Sequence, residues 1–191
     1  MIRGLKQIGV AEGDIWVYEA SRPITGRVME RITNLYPGVR FFDTLDCREN
    51  AGWGGSVVDF HPPGGIPKPP TQNLTNVLVD ADYLINMPIM KKHVGAGVTL
   101  SFKNHFGSIQ SCWELHDWVY GETGDYYSSV YNPLVDLYQH PNIRDKTILL
   151  VGDGLYGDRR SNTSKPEPWK TFGWDSPNSL FFPLTRWLLT Q

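Results

Sequence analysis

The sequence predicts an α/β domain: a largely parallel sheet with flanking helices in a three-layer sandwich, rich in loops. Three observations carry that prediction. Short apolar runs at 83–87 and 147–151 have the length and composition of strands buried on both faces of a parallel sheet. Segments with helical spacing lie between such runs, so strands and helices alternate. The chain has 191 residues and is 40% hydrophobic, enough to fill one ordinary core and to exclude whole-chain disorder.

Taken in order, Ile2, Leu5 and Ile8 share a helical face that ends before Gly13, and Ile15 to Tyr18 follow as a strand. Ser21-Arg22-Pro23 is a turn, Val28 to Leu35 is helical, Pro37-Gly38 stops it, and Val39 to Phe42 is a second strand. Together they make a βαβ unit. Residues 43–71 lose periodicity and fill with glycine and proline, so an ordered loop is expected, either covering a site or merely connecting. Val77 to Val79 reads as a short strand and Tyr83 to Met87 as a buried one, closed by Pro88.

After Lys91-Lys92-His93 comes a glycine-bearing turn, Gly95-Ala96-Gly97, and then a helix from about Thr99. Its apolar stripe is Val98, Phe102, Phe106 and Ile109. Leu134 to Tyr138 is helical, and Thr147 to Val151 is a buried strand ended by Asp153-Gly154. The first element is already in mid-unit, so the domain is expected to be incomplete at its start.

The 18 basic and 20 acidic side chains nearly cancel, leaving no net field to draw the chain onto nucleic acid or an anionic membrane. Two cysteines, Cys47 and Cys112, are too few for a disulfide framework, a structural zinc site or a four-thiolate iron-sulfur cluster. A metal would need histidine and carboxylate ligands. No apolar run reaches the roughly 18 residues of a membrane span, and residues 1–10 lack the core of a signal peptide. The chain as given therefore reads as a soluble, cytoplasmic one, and the sequons at Asn73 and Asn162 read as chance.

Gly152-Asp153-Gly154-Leu155-Tyr156-Gly157 matches the dinucleotide fingerprint, but no helical period follows to receive a pyrophosphate. A strand end with Asp153 at its carboxyl edge is the better reading. On one helix, His105 and His116 would lie about 16 Å apart at 1.5 Å per residue, too far to share an ion. His93 could pair with His61 or Asp153 through the fold, while His116 and His140 read as surface or core residues. Gly54-Gly55-Ser56 lies outside any nucleophile elbow, and there is no Walker motif.

Lys91, His93, Thr99, Lys103, Asn104 and Gly107 remain. On a helix Thr99, Lys103 and Gly107 are successive i, i+4 neighbours, so the lysine would be flanked by a hydroxyl and by free space. Gly95 and Gly97 permit close backbone approach, and free amides at the start of the helix, with those from Gly95 to Thr99 orienting the ligand and Lys91 and Lys103 nearby, would suit a carboxylate or phosphate.

The stretch from Asp82 to Gly107 resembles the signature of the family called domain of unknown function 362. The pattern is a strand ending in proline, K-x-H, a glycine turn, T-x-x-x-K-N and glycine, matched by Pro88, Lys91, His93, Thr99, Lys103, Asn104 and Gly107. Val151 to Gly157 looks like the family's D-G-x-x-G strand, and Ile15 to Pro23 like its early strand and S-R-P turn. The resemblance implies an α/β fold, frequent fusion to ferredoxin-type iron-sulfur modules and, in some members, an export signal. The full-length protein could then be exported.

Family members also continue with an S-T-D-P-V-A-L-D segment. Codons compatible with Phe182 to Gln191, read one base earlier, permit Ser-Thr-Asp-Pro-Val-Ala-Leu-Asp-Ser, so 183–191 is expected to be a frameshifted, non-native tail on a partial domain of 1–182. The leading expectation is enzyme-like binding of a small anionic ligand or a metal in a cleft between His93, Lys103 and Asp153. Lys91 would add charge, Gly95, Gly97, Thr99, Asn104 and Gly107 would shape the site, and His93 would act as acid/base or metal ligand. The alternatives are an accessory domain docking a ferredoxin-type partner through aromatic residues such as Trp113 to Tyr120, and an inactive fragment.

Overall fold

The computed structural model describes residues 1–43, 49–50, 52–93, 95–121, 124–159, 167–175 and 177–182. The expected foreign tail at 183–191, Cys47 and the Asn162 sequon lie outside the described residues. Strands and helices interleave as an α/β fold requires.

The expected βαβ unit opens the chain: α1 (Ile2–Gln7), β1 (Trp16–Glu19), α2 (Gly26–Thr33) and β2 (Arg40–Asp43). β1 and β2 are parallel, with Trp16 opposite Arg40 and Glu19 opposite Asp43. Ile15, Val39 and Phe41 form its buried centre, covered by Ile2 and Leu5 from α1 and by Met29 and Ile32 from α2. A short β3 (Glu49–Asn50) adds in parallel to β2, and Arg40 pairs with Glu49 while its guanidinium lies over the rings of Trp16 and Phe42.

Residues 43–71 are less irregular than their composition predicts. β4 (Trp53–Val58) pairs antiparallel with β5 (Gln72–Thr75), and the proline-rich stretch between them is loop. Gly52 and Gly54, with φ of +59° and +108°, supply conformations that other residues rarely adopt. The Trp118 Nε1 then anchors the loop by donating to the Pro67 carbonyl at 2.7 Å. Val77 to Val79 belongs to helix α3 (Asn76–Asp80) and is not a strand. A three-residue apolar run carries no period, and here Val77 and Leu78 are buried from one side of a short helix.

Two short parallel pairs, one in a two-stranded sheet and one in a four-stranded sheet, follow one another along the chain. β6 (Leu84–Asn86) and β7 (Ile89–His93) are followed by β8 (Gly97–Thr99) and α4 (Ser101–Asn104). Then come α5 (His116–Val119), α6 (Pro133–Gln139), α7 (Pro141–Arg144), β9 (Thr147–Leu150), β10 (Gly152–Asp158) and β11 (Ser179–Phe181). β6 pairs parallel with β9 and β7 with β10, the second pair in the sheet of order β11-β10-β7-β8. Pro88 has no N–H to give to a ladder and so divides β6 from β7, but its carbonyl accepts from Asp153 N at 2.8 Å and keeps the two halves in step. α6 and α7 each begin at a side-chain cap followed by proline, Asn132 Oδ1 accepting from Leu134 N and His140 Nδ1 from Asn142 N. Leu137 and Ile143 from these helices are fully buried with Leu74, Leu78 and Leu115, each worth about 1.5–3 kcal/mol of apolar burial.

Two expectations are corrected in this region. The helix expected from Thr99 begins two residues later, because Thr99 ends β8 and Leu100 is extended at φ −145°, ψ −158°. After one turn it tightens to a 3₁₀ turn at His105–Ser108. Phe106 and Ile109 are buried as the stripe predicts, whereas Val98 stands on the strand and is 40% exposed. The strand expected over Thr147 to Val151 is β9, ending at Leu150, but Asp153-Gly154 does not follow it as a strand end: β10 begins at Gly152 and runs through Asp158, so Asp153 lies near its start and not at a carboxyl edge. Its glycines serve packing: a Cβ on Gly154 would come within 2.4 Å of the Phe181 ring.

One buried residue ties these elements together. Asn86 is 2% exposed. Its Nδ2 donates to the Ser101 carbonyl and to His105 Nε2, each at 3.1 Å, and its Oδ1 accepts from Asn104 Nδ2 at 2.7 Å. Its backbone carbonyl accepts from Val151 N at 2.9 Å. With Nε2 an acceptor, His105 turns Nδ1 to Ser108 Oγ at 3.4 Å, and Ser108 meets the Tyr18 hydroxyl at 3.2 Å. Burial holds His105 down to a pKa of about 4 and pushes Tyr18 up to about 12.

Asn86→Ala strands the partners of three hydrogen bonds and should cost about 1–3 kcal/mol, read as a lowered urea midpoint. The His105 shift makes stability fall with acid. The unfolded chain takes up this proton near pH 6.5 and the fold only near pH 4, so roughly 3 kcal/mol is lost across that window. Urea titrations at pH 7.5 and 4.5 should show a loss that is smaller in His105→Gln.

Candidate functional site

The β7–β8 hairpin and the two helical turns after it bring the site together. Alternation along β7 puts Lys91 and His93 on one face and the exposed Lys92 on the other. Lys91 lies opposite Thr99 and His93 opposite Gly97 across the hairpin, so Thr99 shares the face of the lysine. The Thr99 hydroxyl is buried and without a hydrogen-bond partner among the described residues.

Lys103 projects from α4, and its Nζ lies 3.7 Å from the centroid of the Phe106 ring. Phe106 is 4% exposed, so the ammonium rests on the edge of the core. Among the described residues no carboxylate forms an ion pair with Lys103 or Lys91. Burial, reinforced by the charge of Lys91 and opposed by the Cys112 thiol, lowers the Lys103 pKa to about 8. Cys112 itself is raised by burial.

His93 is oriented by the turn it precedes. Its Nδ1 accepts from the backbone N–H of Gly95 and of Ala96, each at 3.3 Å. In the neutral ring the proton then sits on Nε2, which presents a donor. Burial and the charges of Lys103, Lys91 and His116 hold its pKa below the usual range, so the ring is neutral at pH 7. Metal ligation through Nε2 would require the opposite tautomer, with Nδ1–H facing two backbone N–H groups. Among the described residues no group of three His, Cys, Asp or Glu side chains is placed to hold a metal ion. His61 lies beside Asp59 at 3.7 Å, with its backbone N–H held by Asp136.

An aromatic stack closes the other side. Tyr120 lies 5.3 Å from the His93 ring and 4.3 Å from His116, which in turn stacks on Phe106 at 5.5 Å. The space that Gly95 leaves is filled by this tyrosine, since a Cβ there would fall 2.2 Å from the Tyr120 ring. Gly107 leaves room for Ser21 of the Ser21-Arg22-Pro23 turn, 2.8 Å from a built Cβ, and Gly97 answers the hairpin's φ of +72°. Two of the three glycines singled out in the sequence are thus packing contacts. The amides expected to be free at Gly95 and Ala96 are used by His93.

Lys103 also lines an open cleft of about 560 Å³. Val98, Leu100, Phe102, Val119 and Leu134 are among its apolar lining, and Ser101, Tyr127 and Asn132 are its other polar side chains. Asn104 is not in the wall; its amide goes to Asn86 and so fixes the turn that carries Lys103. The structure thus brings Lys91, His93, Thr99 and Lys103 near one another, but of these four only Lys103 lines the cleft, so the expected cleft between His93, Lys103 and Asp153 is not formed as such. Asp153 is elsewhere, opposite Ile89 on the ladder, its carboxylate accepting from its own Leu155 N at 2.9 Å.

Cys112, His116 and Tyr120 were not assigned to this site in the sequence, where His116 read as a surface or core residue, although their spacing of four was visible in it. Of the aromatic stretch Trp113 to Tyr120, Trp113 is exposed but Trp118 and Val119 are buried. A second pair, Ser56 Oγ and His140 Nε2 at 3.1 Å, looks like a hydrolytic dyad. Because His140 Nδ1 accepts from Asn142 N, Nε2 carries the proton and cannot take one from the serine. His140 is a helix cap.

The family profile described as Domain of unknown function (DUF362) matches residues 49–173, more than half of the chain. Neither a curated protein nor a solved structure matches it.

The Lys103 charge state is directly measurable. In lysine-labelled protein its Cε resonance should titrate with a midpoint near pH 8. Removing the neighbouring charge with Lys91→Gln should move that midpoint upward; an unmoved midpoint would separate the two lysines.

Proposed function

The chain belongs to the domain of unknown function 362 family, and from that premise we propose that this domain binds a small anionic ligand beside Lys103, with Lys91 as the second source of positive charge. The observation that carries the proposal is a Lys103 ammonium set against the Phe106 ring with no carboxylate paired to it among the described residues. A cation withdrawn from water toward carbon is costly unless something anionic meets it.

The neighbouring groups fit that task. Neutral His93 offers an Nε2–H donor, the buried Thr99 hydroxyl has a hydrogen bond unmade, and the adjoining cleft admits a ligand of modest size. Asn104, held by Asn86, is a positioning residue for Lys103. An acid–base step, where there is one, falls to His93, whose pKa sits on the neutral side of pH 7. The docking alternative loses ground to the burial of Trp118 and Val119, and of that stretch only Trp113 is an exposed aromatic residue. Among the described residues no helix is long and apolar enough to cross a membrane.

Titration calorimetry with oxalate and with phosphate tests the reading. Binding by the parent chain should weaken about tenfold or more in Lys103→Gln and in Lys91→Gln, the loss of one charge-assisted contact. Far-ultraviolet circular dichroism should show both variants folded. No heat with either anion, or equal affinity in the folded variants, would dispose of the anion site.

A further inference from the structure

The same lysine has the surroundings of a nucleophile. We propose that Lys103 condenses with the carbonyl group of a small 2-oxo acid, whose carboxylate is held in the positive field of Lys91. The inference rests on the anion-binding reading and deepens it by naming the substrate class.

Geometry carries most of the argument. A lysine becomes nucleophilic when carbon replaces its water or a second cation stands near it. Lys103 has both, the Phe106 ring at 3.7 Å and Lys91. It is also a lining residue of the cleft, where a lysine sealed in the core would be out of a ligand's reach. The cleft wall is mixed, with Ser101, Tyr127 and Asn132 as further polar side chains, so a ligand that carries a carbonyl and a carboxylate side by side, as a 2-oxo acid does, meets donors as well as the amine. With a pKa of about 8, a sizeable share of the amine is neutral near pH 7.5.

The step balances without redox. The Nζ lone pair forms a bond to the carbonyl carbon, and the C=O π pair moves to oxygen, which gains one amine proton to give a carbinolamine. The nitrogen lone pair then expels that oxygen, which leaves as water with the second amine proton, and a C=N bond remains. Once its nitrogen takes up a proton, the resulting iminium makes that carbon a better electron sink than the free ketone. His93, neutral and oriented by the Gly95 and Ala96 amides, stands in the same cluster as a proton donor.

The test uses the whole chain with pyruvate and sodium cyanoborohydride at pH 7.5, followed by peptide mass mapping. Reduction of the imine should leave a stable adduct on Lys103, about tenfold above that on the exposed Lys92. Acetone, which has the carbonyl but no carboxylate, should label Lys103 less than pyruvate does, and Lys91→Gln should lower pyruvate labelling toward the acetone level. Oxalate cannot form the imine and reports the anion site alone. If oxalate binds and Lys103 is labelled no more than Lys92, the carbonyl chemistry is overturned and the anion site stands. If neither oxalate binding nor Lys103 labelling is seen, both readings fall. Equal labelling by acetone and pyruvate overturns the 2-oxo acid as the substrate class.

Discussion

The buried amide of Asn86 is the constraint on which the rest of the structure depends. Both of its Nδ2 hydrogens, its Oδ1 and its backbone carbonyl are used, and between them they reach three parts of the fold. Two of the bonds go to Ser101 and Asn104 in the turn of α4, one to His105 in the 3₁₀ turn, and one to Val151 at the junction of β9 and β10. A side chain satisfied in this way specifies a geometry more narrowly than an apolar one, because any shift leaves a buried polar group unmatched. The site inherits that precision. Lys103 is flanked by two of the residues that Asn86 reaches through that turn, Ser101 and Asn104, so its backbone has little freedom to drift toward a carboxylate elsewhere.

That rigidity explains how an unpaired lysine can persist at the edge of a core. A long, flexible side chain normally turns its ammonium to water. Lys103 instead lies over Phe106, where the ring face offsets part of the lost hydration. The remainder is a standing cost, and its expression is the lowered pKa. Costs of this kind gather where a ligand repays them, and the groups around Lys103 are chosen consistently: a second lysine, two histidines held neutral by burial and positive neighbours, and a thiol whose ionisation burial opposes. The cluster carries positive or no charge at neutral pH.

Much of the fold was legible in the sequence because it rested on burial patterns. The runs at 83–87 and 147–151 contain strands paired in parallel, and the alternation around Ile15, Val28 and Val39 is a βαβ unit, but the two runs are not buried on both faces as expected, since Tyr83, Met87 and Ile148 are exposed. The site was legible in part, since the K-x-H spacing puts Lys91 and His93 on one face of a strand. Where the reading failed, local signals were degenerate. Val98, Phe102, Phe106 and Ile109 have helical spacing, yet the first lies on a strand and the next two occupy different kinds of turn. Spacing records that side chains meet one core, not that a single helix carries them. Gly95 and Gly107 signalled close approach correctly, but what approaches is Tyr120 and Ser21, partners distant in sequence that no local pattern could name.

The placement of Asp153 follows from the same ladder. A parallel strand that ended at Gly154 would have put its carboxylate at the sheet edge, where open α/β folds bind ligands. β10 instead continues through Asp158 because its glycines let Phe181 and Trp169 pack against the backbone, a Cβ on Gly157 falling 2.8 Å from Trp169 Nε1. The working edge is therefore moved from β10 to β7, whose carboxyl end does not stop at a helix but folds back as the β7–β8 hairpin. That hairpin is why the site is built from cations. In a strand-to-helix crossover the helix amides would meet an anion directly. Here His93 consumes the amides of the turn, the following helix has a single turn, and the positive charge must come from side chains. Lys91 and Lys103 supply what the backbone cannot.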